Sequence, residues 1–118
     1  MAFAVEVIPD SDSLYRRIHR SHLTPEGKIS SAAFKDEQMS VNWEKYCDAK
    51  SCANESSVAV AALIAAECRA LSQTVLHAPV EPDQPSGPNQ AHAEVRGRKT
   101  GAISTKLRDK ANTAWQRQ

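Results

Sequence analysis

The longest run of apolar residues, Val58 to Ala66, constrains the fold more than any other feature of this 118-residue chain. It is far shorter than the ~20 apolar residues that a membrane-spanning helix needs, so it is expected to lie in a hydrophobic core. Its alanines favour a helix. The alternation of Val58, Val60, Ala62 and Ile64 instead favours a strand that is buried on both faces. The residues alone leave both interpretations open.

Other short apolar segments indicate strands. Met39 to Val41 has an extended pattern, and Ala91 to Val95 predicts a strand that ends at Gly97. Leu14 to Ile18 fits either a strand or a helical turn. Thr24 to Gly27 contains Pro and Gly in the pattern of a tight turn.

Two segments are predicted to lie outside helices and strands. Residues 79–90 contain four of the six prolines, and this stretch is too long for an ordinary hairpin turn. Residues 1–13 start with a short apolar alternation that Pro9 interrupts, so we expect a possible extended arm there.

Two helices are predicted from capping and periodicity. Asn42 is a suitable N-cap for a helix from Trp43 to about Cys52. Near the end of the chain, apolar residues recur every four positions, at Ile103, Leu107, Ala111 and Trp115. This spacing predicts one apolar stripe on a final helix.

The cysteines bear on the compartment and on metal binding. The chain has an odd number of cysteines, and none are in Cys-x-x-Cys spacing: Cys47, Cys52 and Cys68. This pattern predicts free thiols, no metal site and no cofactor. The first residues lack the pattern of a secretory leader. We therefore expect a cytoplasmic protein that does not enter a membrane.

Charge and aromatic content suggest partners. Residues 94–118 hold seven Lys or Arg against two Asp or Glu, whereas residues 1–93 hold eight against twelve. This basic C-terminal quarter could contact nucleic acid, or its charges could simply cover a solvated helix face.

The chain has only two Trp, two Tyr and two Phe, which predicts a thin aliphatic core and favours a homo-oligomer that buries additional surface.

The best candidate site lies in the predicted strand Ala91 to Val95. His92 and Glu94 are two residues apart, so their side chains would point to the same face of a strand and could share a proton. Arg16 and Arg17 lie in a basic cluster that suits phosphate or carboxylate binding. The alternatives are a polar pair at a strand edge and solvated surface charge.

Serine residues offer one further candidate. Ser30 and Ser31 precede Ala-Ala-Phe and have the setting of an inward-facing strand. Ser31 is therefore included with the arginines and His92 among the expected ligand-binding residues.

Four short blocks follow one another along the chain: Leu14-Tyr15-Arg16-Arg17-Ile18, Gly27-Lys28-Ile29-Ser30-Ser31-Ala32-Ala33-Phe34, Met39-Ser40-Val41, and Pro88-Asn89-Gln90-Ala91-His92-Ala93-Glu94-Val95. In this order they resemble a loose group of small uncharacterised bacterial proteins, over roughly residues 14–97. Met39 replaces a Leu of the group. Gln90 stands where the group has Pro, which removes a rigid turn before His92.

The resemblance implies organisation and candidate residues, and no established activity. It favours dividing the central segment into a strand at about 58–64, a helical turn at about 65–71 and a strand at about 74–78. We therefore predict a single α+β domain, residues 1–118, with a small, mainly antiparallel sheet and a C-terminal helix.

Three functions remain open. A binding or interaction module, acting through a polar surface around Arg16, Arg17 and His92, needs only an exposed patch and is favoured; its partner would be a protein or an anionic ligand. A small enzyme acting on a nucleotide or phosphorylated substrate requires the scattered blocks to converge in one pocket. Nucleic-acid binding through the basic C-terminal quarter is the third alternative, and the shortage of aromatic residues argues against base stacking there.

Overall fold

The computed structural model describes residues 2–118. Its strands are β1 (Ser13–His19), β2 (Gln38–Trp43), β3 (Ser57–Ile64), β4 (Thr74–His77), β5 (His92–Arg96) and β6 (Asn112–Gln116). Its helices are α1 (Ala49–Cys52), α2 (Ala65–Ala70) and α3 (Gly101–Lys110), with 3-10 helices at Arg20–His22 and Ser31–Phe34.

The strands form one six-stranded sheet in the order β4-β5-β2-β1-β3-β6. All neighbouring strands are antiparallel. The predicted α+β fold, with an antiparallel sheet and a helix near the C-terminus, is confirmed. None of the helices between residues 2 and 118 has the length and apolar character needed to span a bilayer.

One face of the sheet carries the hydrophobic core. Alternate residues of the central strands are fully buried there, because successive side chains in a strand point to opposite faces. Leu107 of α3 and Phe34 of the second 3-10 helix cover these residues. The strand residues in this core include Leu14, Ile18, Met39, Val41, Trp43, Ala93 and Val95. The opposite face of β1, β2 and β5 is consequently left to polar side chains.

The ambiguous central segment is a strand, then a helix, then a strand. β3 pairs with β1 on one side and with β6 on the other, so its backbone hydrogen bonds are satisfied across both edges. α2 then begins at Ala65 and β4 at Thr74. The division at about 58–64, 65–71 and 74–78 is confirmed to within one residue at each end.

The predicted helix from Trp43 to Cys52 is wrong. Trp43 is the last residue of β2, pairs with Leu14 across the sheet and is 1% exposed. Asn42 caps no helix, because its side chain accepts a hydrogen bond from Asn89 instead. Only α1 is helical in this segment, and its N-cap is Asp48. Burial of the indole in the core outweighed the local capping signal.

The prediction of a final helix is correct only for the first part of that segment. α3 ends at Lys110, and Trp115 lies in β6 rather than on the helix. β6 pairs with β3, and Trp115 is opposite Val60. The edge of β3 provides backbone partners for this segment, and Thr and Trp are residues that favour strands, so pairing prevails over continuation of the helix.

Several local predictions hold. Leu14 to Ile18 lies in β1, Met39 to Val41 in β2, and Ala91 to Val95 overlaps β5. In the turn at Thr24, the N–H of Gly27 donates to the carbonyl of Thr24 at 2.8 Å. Gly27 has φ +82°, a conformation that glycine adopts without a steric cost.

Residues 2–12 and 79–90, in the two segments predicted to be irregular, contain no helix and no strand beyond an isolated bridge, and β1 begins at Ser13. Residues 2–9 run past β4, where the backbone N–H of Glu6 donates to Nδ1 of His77 at 3.0 Å. Residues 78–91 form a loop that is closed by a pair of backbone hydrogen bonds between Val80 and Asn89, of 2.9 and 2.8 Å. We call residues 78–91 the Pro-rich loop.

Candidate functional site

The face of the sheet opposite the core is polar where β1, β2 and β5 lie side by side. Asn42 of β2 is opposite Tyr15 of β1 and His92 of β5, and Ser40 is opposite Glu94. Directly opposed residues of antiparallel strands project to the same side. This surface is called the polar face below.

A cavity of about 220 Å³ opens on the polar face. It is lined by Arg16, Arg17, His19, Ser40, Val41, Asn42, Asn54, Asn89 and His92. The structure thus brings together three of the five residues that the sequence singled out. No Asp or Glu among residues 2–118 lines this cavity.

Two further cavities share Arg17 and Asn89 with the first. One, of about 490 Å³, extends beneath the Pro-rich loop and is lined also by His92 and Gln84. The other, of about 270 Å³, lies beside α1. Neither is lined by a carboxylate from the described part of the chain. We refer to the three together as the Arg17 groove.

Arg17 occupies the centre of the Arg17 groove. Its Nε donates to the backbone carbonyl of Cys52, which holds the guanidinium against α1. The two terminal nitrogens make no hydrogen bond or ion pair within residues 2–118. A guanidinium anchored by one nitrogen and open at the other two can form a bidentate contact with a carboxylate or a phosphate.

His92 is oriented by the entrance to the Pro-rich loop. Its Nδ1 lies 2.8 Å from the carbonyl oxygen of Ala78. A carbonyl can only accept, so Nδ1 carries the hydrogen and Nε2 of the neutral ring presents a lone pair. Ser40 Oγ lies 3.3 Å from Nε2 and is the hydroxyl that can donate to it.

Arg16 borders the same cavity, but its guanidinium is used inside the protein. Nε and Nη1 donate to the carbonyls of Ala33 and Ser40, both at 3.0 Å, and Nη2 pairs with Asp36 at 3.1 Å. The Arg16 side chain is 12% exposed. Burial is the main cause that lowers the pKa of Arg16, and the Asp36 carboxylate opposes that shift. These contacts connect β1 to the second 3-10 helix.

Glu94 is on the same face of β5 as His92, as predicted, but the two do not form a proton-sharing pair. The Glu94 carboxylate binds Nε of Arg96 at 2.6 Å, while both nitrogens of His92 face other partners. The strand interpretation of Ser31 is wrong, because it lies in a 3-10 helix whose N-cap is Ser30. Ser31 does not line the Arg17 groove. A ligand-binding role for Glu94 or Ser31 stays a prediction.

Sequence reasoning missed four polar residues of the cavity: Ser40, Asn42, Asn54 and Asn89. A signal for two of them was present. In the strand Met39-Ser40-Val41-Asn42 the apolar residues alternate with Ser40 and Asn42, which predicts a polar stripe on the face opposite the core. Asn89 could not be found in this way, because only the Pro-rich loop brings it over β2. There its Nδ2 donates to Oδ1 of Asn42 at 2.9 Å.

A further cavity, of about 570 Å³, lies elsewhere, between β6, the end of α3 and the turn near Lys28. It includes two cations of the basic C-terminal quarter. Arg108 pairs with Asp109 at 3.0 Å, and Arg117 donates to the carbonyls of Ser57 and Asn54. Such internal use of the charges is typical of structural surface cations, and it favours the Arg17 groove as the candidate site.

The cysteines are unpaired in the structure. Cys47 and Cys52 both line the cavity beside α1, and Cys68 is buried in the core. Between residues 2 and 118, no three His, Cys, Asp or Glu side chains form a group that could hold a metal ion.

Comparisons with models of known protein families, with curated proteins and with solved structures find no match. The resemblance to small bacterial proteins therefore stays a prediction. The function has to be argued from the chemistry of the Arg17 groove.

Proposed function

We propose that the protein is a binding module that takes a phosphate-bearing or carboxylate-bearing ligand in the Arg17 groove. The observation that carries this proposal is the placement of a cation with two unengaged nitrogens in a groove lined by His, Ser and Asn side chains and by no carboxylate. The Asn amides and the Ser40 hydroxyl carry hydrogen-bond donors for an anionic oxygen.

The energetics favour an anion over a neutral ligand. A hydrogen bond to a charged group contributes ~1.5–3 kcal/mol, about twice a neutral one. The Arg17 side chain loses little conformational entropy when a ligand binds, because its Nε is already hydrogen-bonded to the Cys52 carbonyl. Within the described residues, no acidic side chain of the groove competes with the ligand for the guanidinium.

Binding of inorganic pyrophosphate and of an oligoglutamate peptide, measured by titration calorimetry, tests the proposal and separates its two ligand sources. Arg17→Met should weaken binding of the preferred probe by about tenfold or more, because a charge-assisted hydrogen bond is lost. Arg20→Met is the matched control, since Arg20 is a nearby exposed arginine that does not line the groove. It should bind as the wild type does.

Thermal melting of both variants checks that they remain folded. Failure of the wild type to bind either probe would contradict the proposal. Equal losses in Arg17→Met and Arg20→Met would also contradict it, since they would indicate unspecific attraction to positive charge.

An enzyme acting on a phosphorylated substrate is the second candidate, and the Ser40–His92 contact favours it. A hydroxyl 3.3 Å from an imidazole that is oriented through its other nitrogen is the arrangement of a nucleophile and its base. Hydrolysis of a generic phosphate ester that is lost in Ser40→Ala would support this candidate. Unchanged binding and no measurable turnover would leave the binding module as the function.

We also propose that the protein forms a homodimer through the edge of the sheet at β4. Three large apolar side chains are exposed there or beside it: Val5 at 68%, Val7 at 88% and Leu76 at 37%. Val5 and Val7 flank Glu6, which is bonded to His77, so these two lie beside the strand that contains Leu76. An unpaired strand edge with apolar neighbours is a common site of association.

Light scattering at micromolar concentration should give a mass above the 12.9 kDa of one chain. Replacing Val7 by Asp should restore the monomer mass, because a buried unpaired carboxylate disfavours association. A wild-type protein that is monomeric would refute the dimer without affecting the proposal for the Arg17 groove.

A further inference from the structure

Two cysteines share the wall of the 270 Å³ cavity beside α1. Cys47 lies in the loop after β2, and the short helix α1 returns the chain so that Cys52 lines the same space. Cys47 is half-buried, whereas Cys52 is 4% exposed and meets solvent through the cavity. The thiols donate to the carbonyls of Trp43 and Ala49 and are not joined in a disulfide.

A cation lies against the second thiol. Nε of Arg17 donates to the backbone carbonyl of Cys52, so the guanidinium is fixed beside this residue. A positive charge close to a thiol stabilises its thiolate, which is the nucleophilic form. The neighbouring carboxylate of Asp48 opposes this effect, but it is engaged by the N–H and the hydroxyl of Ser51.

The two thiols consequently differ in acidity. The Cys47 thiol beside it is the largest cause that lowers the pKa of Cys52, and Arg17 acts in the same direction, against burial and Asp48. The Cys52 thiol is in turn the largest cause that raises the pKa of Cys47. Cys68 has neither neighbour, and burial raises its pKa to about 11. The molecule thus contains one favoured thiolate, one thiol in the wall of the same cavity and one inert reference thiol.

We propose that Cys52 and Cys47 form a thiol–disulfide exchange site whose substrate is a small-molecule disulfide. Cys52 releases its proton to solvent, and its thiolate attacks one sulfur of the disulfide. A bond forms from Cys52 Sγ to that sulfur, the substrate S–S bond breaks, and the other half leaves as a thiolate that takes up a proton. Cys47, deprotonated in turn, then attacks Cys52 Sγ and expels the second half. The two cysteines lose two electrons and two protons in total, and the small disulfide is reduced to two thiols.

Oxidised glutathione is a suitable probe, with products identified by intact-mass and peptide mass spectrometry at neutral pH. The wild type should end with an internal Cys47–Cys52 disulfide and two molecules of reduced glutathione. Cys47→Ser should stop with one glutathione on Cys52, because the resolving thiol is missing. Cys52→Ser should react more slowly by about tenfold or more, since the favoured thiolate is gone.

Cys68→Ser is the matched control and should give the wild-type product at the wild-type rate. The proposal is overturned if Cys52→Ser reacts as fast as the wild type, or if the wild type keeps a stable glutathione adduct without the internal disulfide.

A second measurement needs no variant, in case a substitution prevents folding. The folded wild type is treated with a limiting amount of N-ethylmaleimide, and the first cysteine modified is identified by peptide mapping. Modification of Cys52 first is expected. Modification of Cys47 or Cys68 first would overturn the proposal.

Discussion

Replacing Arg16 by Met should destabilise the protein, even though Arg16 belongs to the basic cluster that the sequence associated with ligand binding. The Arg16 guanidinium donates to the carbonyls of Ala33 and Ser40 and pairs with Asp36. The variant loses all three interactions and keeps the apolar stem. β1 and the second 3-10 helix would then be joined by packing alone.

The magnitude follows from the partners that remain. The contact with the Ala33 carbonyl is part-buried, so the loss of its donor costs ~1–3 kcal/mol, whereas the contact with the Ser40 carbonyl is exposed and water can replace the guanidinium there. The ion pair adds little, because the Asp36 side chain is 67% exposed and such pairs contribute ~0–1 kcal/mol. In the wild type, burial of the charged guanidinium is unfavourable, as the lowered pKa of Arg16 indicates. Arg16→Met removes this cost of burial, which offsets part of the lost stability. We therefore expect the free energy of unfolding to fall by about 1–3 kcal/mol.

Urea unfolding, followed by the fluorescence of the buried Trp43 and extrapolated linearly to water, measures this change. Asp36→Asn is the matched control and should lower the free energy of unfolding by less than about 1 kcal/mol. Pyrophosphate binding is measured on the same samples. If Arg16→Met is as stable as the wild type but has lost the ligand, the structural role assigned to Arg16 is refuted and Arg16 is a ligand-binding residue.

Three further predictions concern packing and pH. Leu107→Ala should lower the free energy of unfolding by ~2–5 kcal/mol in urea, because Leu107 is fully buried in the core. Burial raises the pKa of Cys68 from 9.0 to about 11, so the contribution of this thiol to stability is complete below pH 9 and is lost as the pH rises to 11. Cys68→Ala should remove this alkaline loss of stability, which amounts to about 2–3 kcal/mol. A variant with the same pH profile of stability as the wild type would contradict the assignment. Lys45 and Tyr46 lower the pKa of Glu6, whose contribution to stability is therefore present above its ordinary value of 4.5 and is lost as the pH falls through the lower pKa of the folded state. Glu6→Gln should flatten the acid limb of a thermal-melting profile, and an unchanged limb would show that this contact does not contribute.

The local sequence was sufficient for elements whose pattern agreed with their surroundings. The strands that contain Met39 and Ala93, the turn ending at Gly27 and the first part of α3 all follow from periodicity and turn residues. His92 and Glu94 share a face because alternation in a strand is a property of the backbone alone. Such signals act between neighbours in sequence, so they can be recognised without the rest of the chain.

Elsewhere, contacts between distant residues decided the outcome. Trp43 joined a strand because the core offered it burial against Leu14, and Trp115 left the helix because β3 had an unpaired edge. Neither partner can be recognised from the local pattern. The same holds for the central segment, whose strand could be preferred only with the help of the resemblance.

The candidate site shows the same division. The sequence identified Arg16, Arg17 and His92 as polar residues with suitable chemistry, and all three border one cavity. Only the tertiary structure separated the two arginines, because packing of β1 commits the Arg16 guanidinium to Ala33 and Ser40 and leaves that of Arg17 open to the groove. The Pro-rich loop then added Asn89 from a distant part of the chain. Residue type and spacing determine what a side chain can do, whereas the contacts it makes across the fold determine whether it is free to do it.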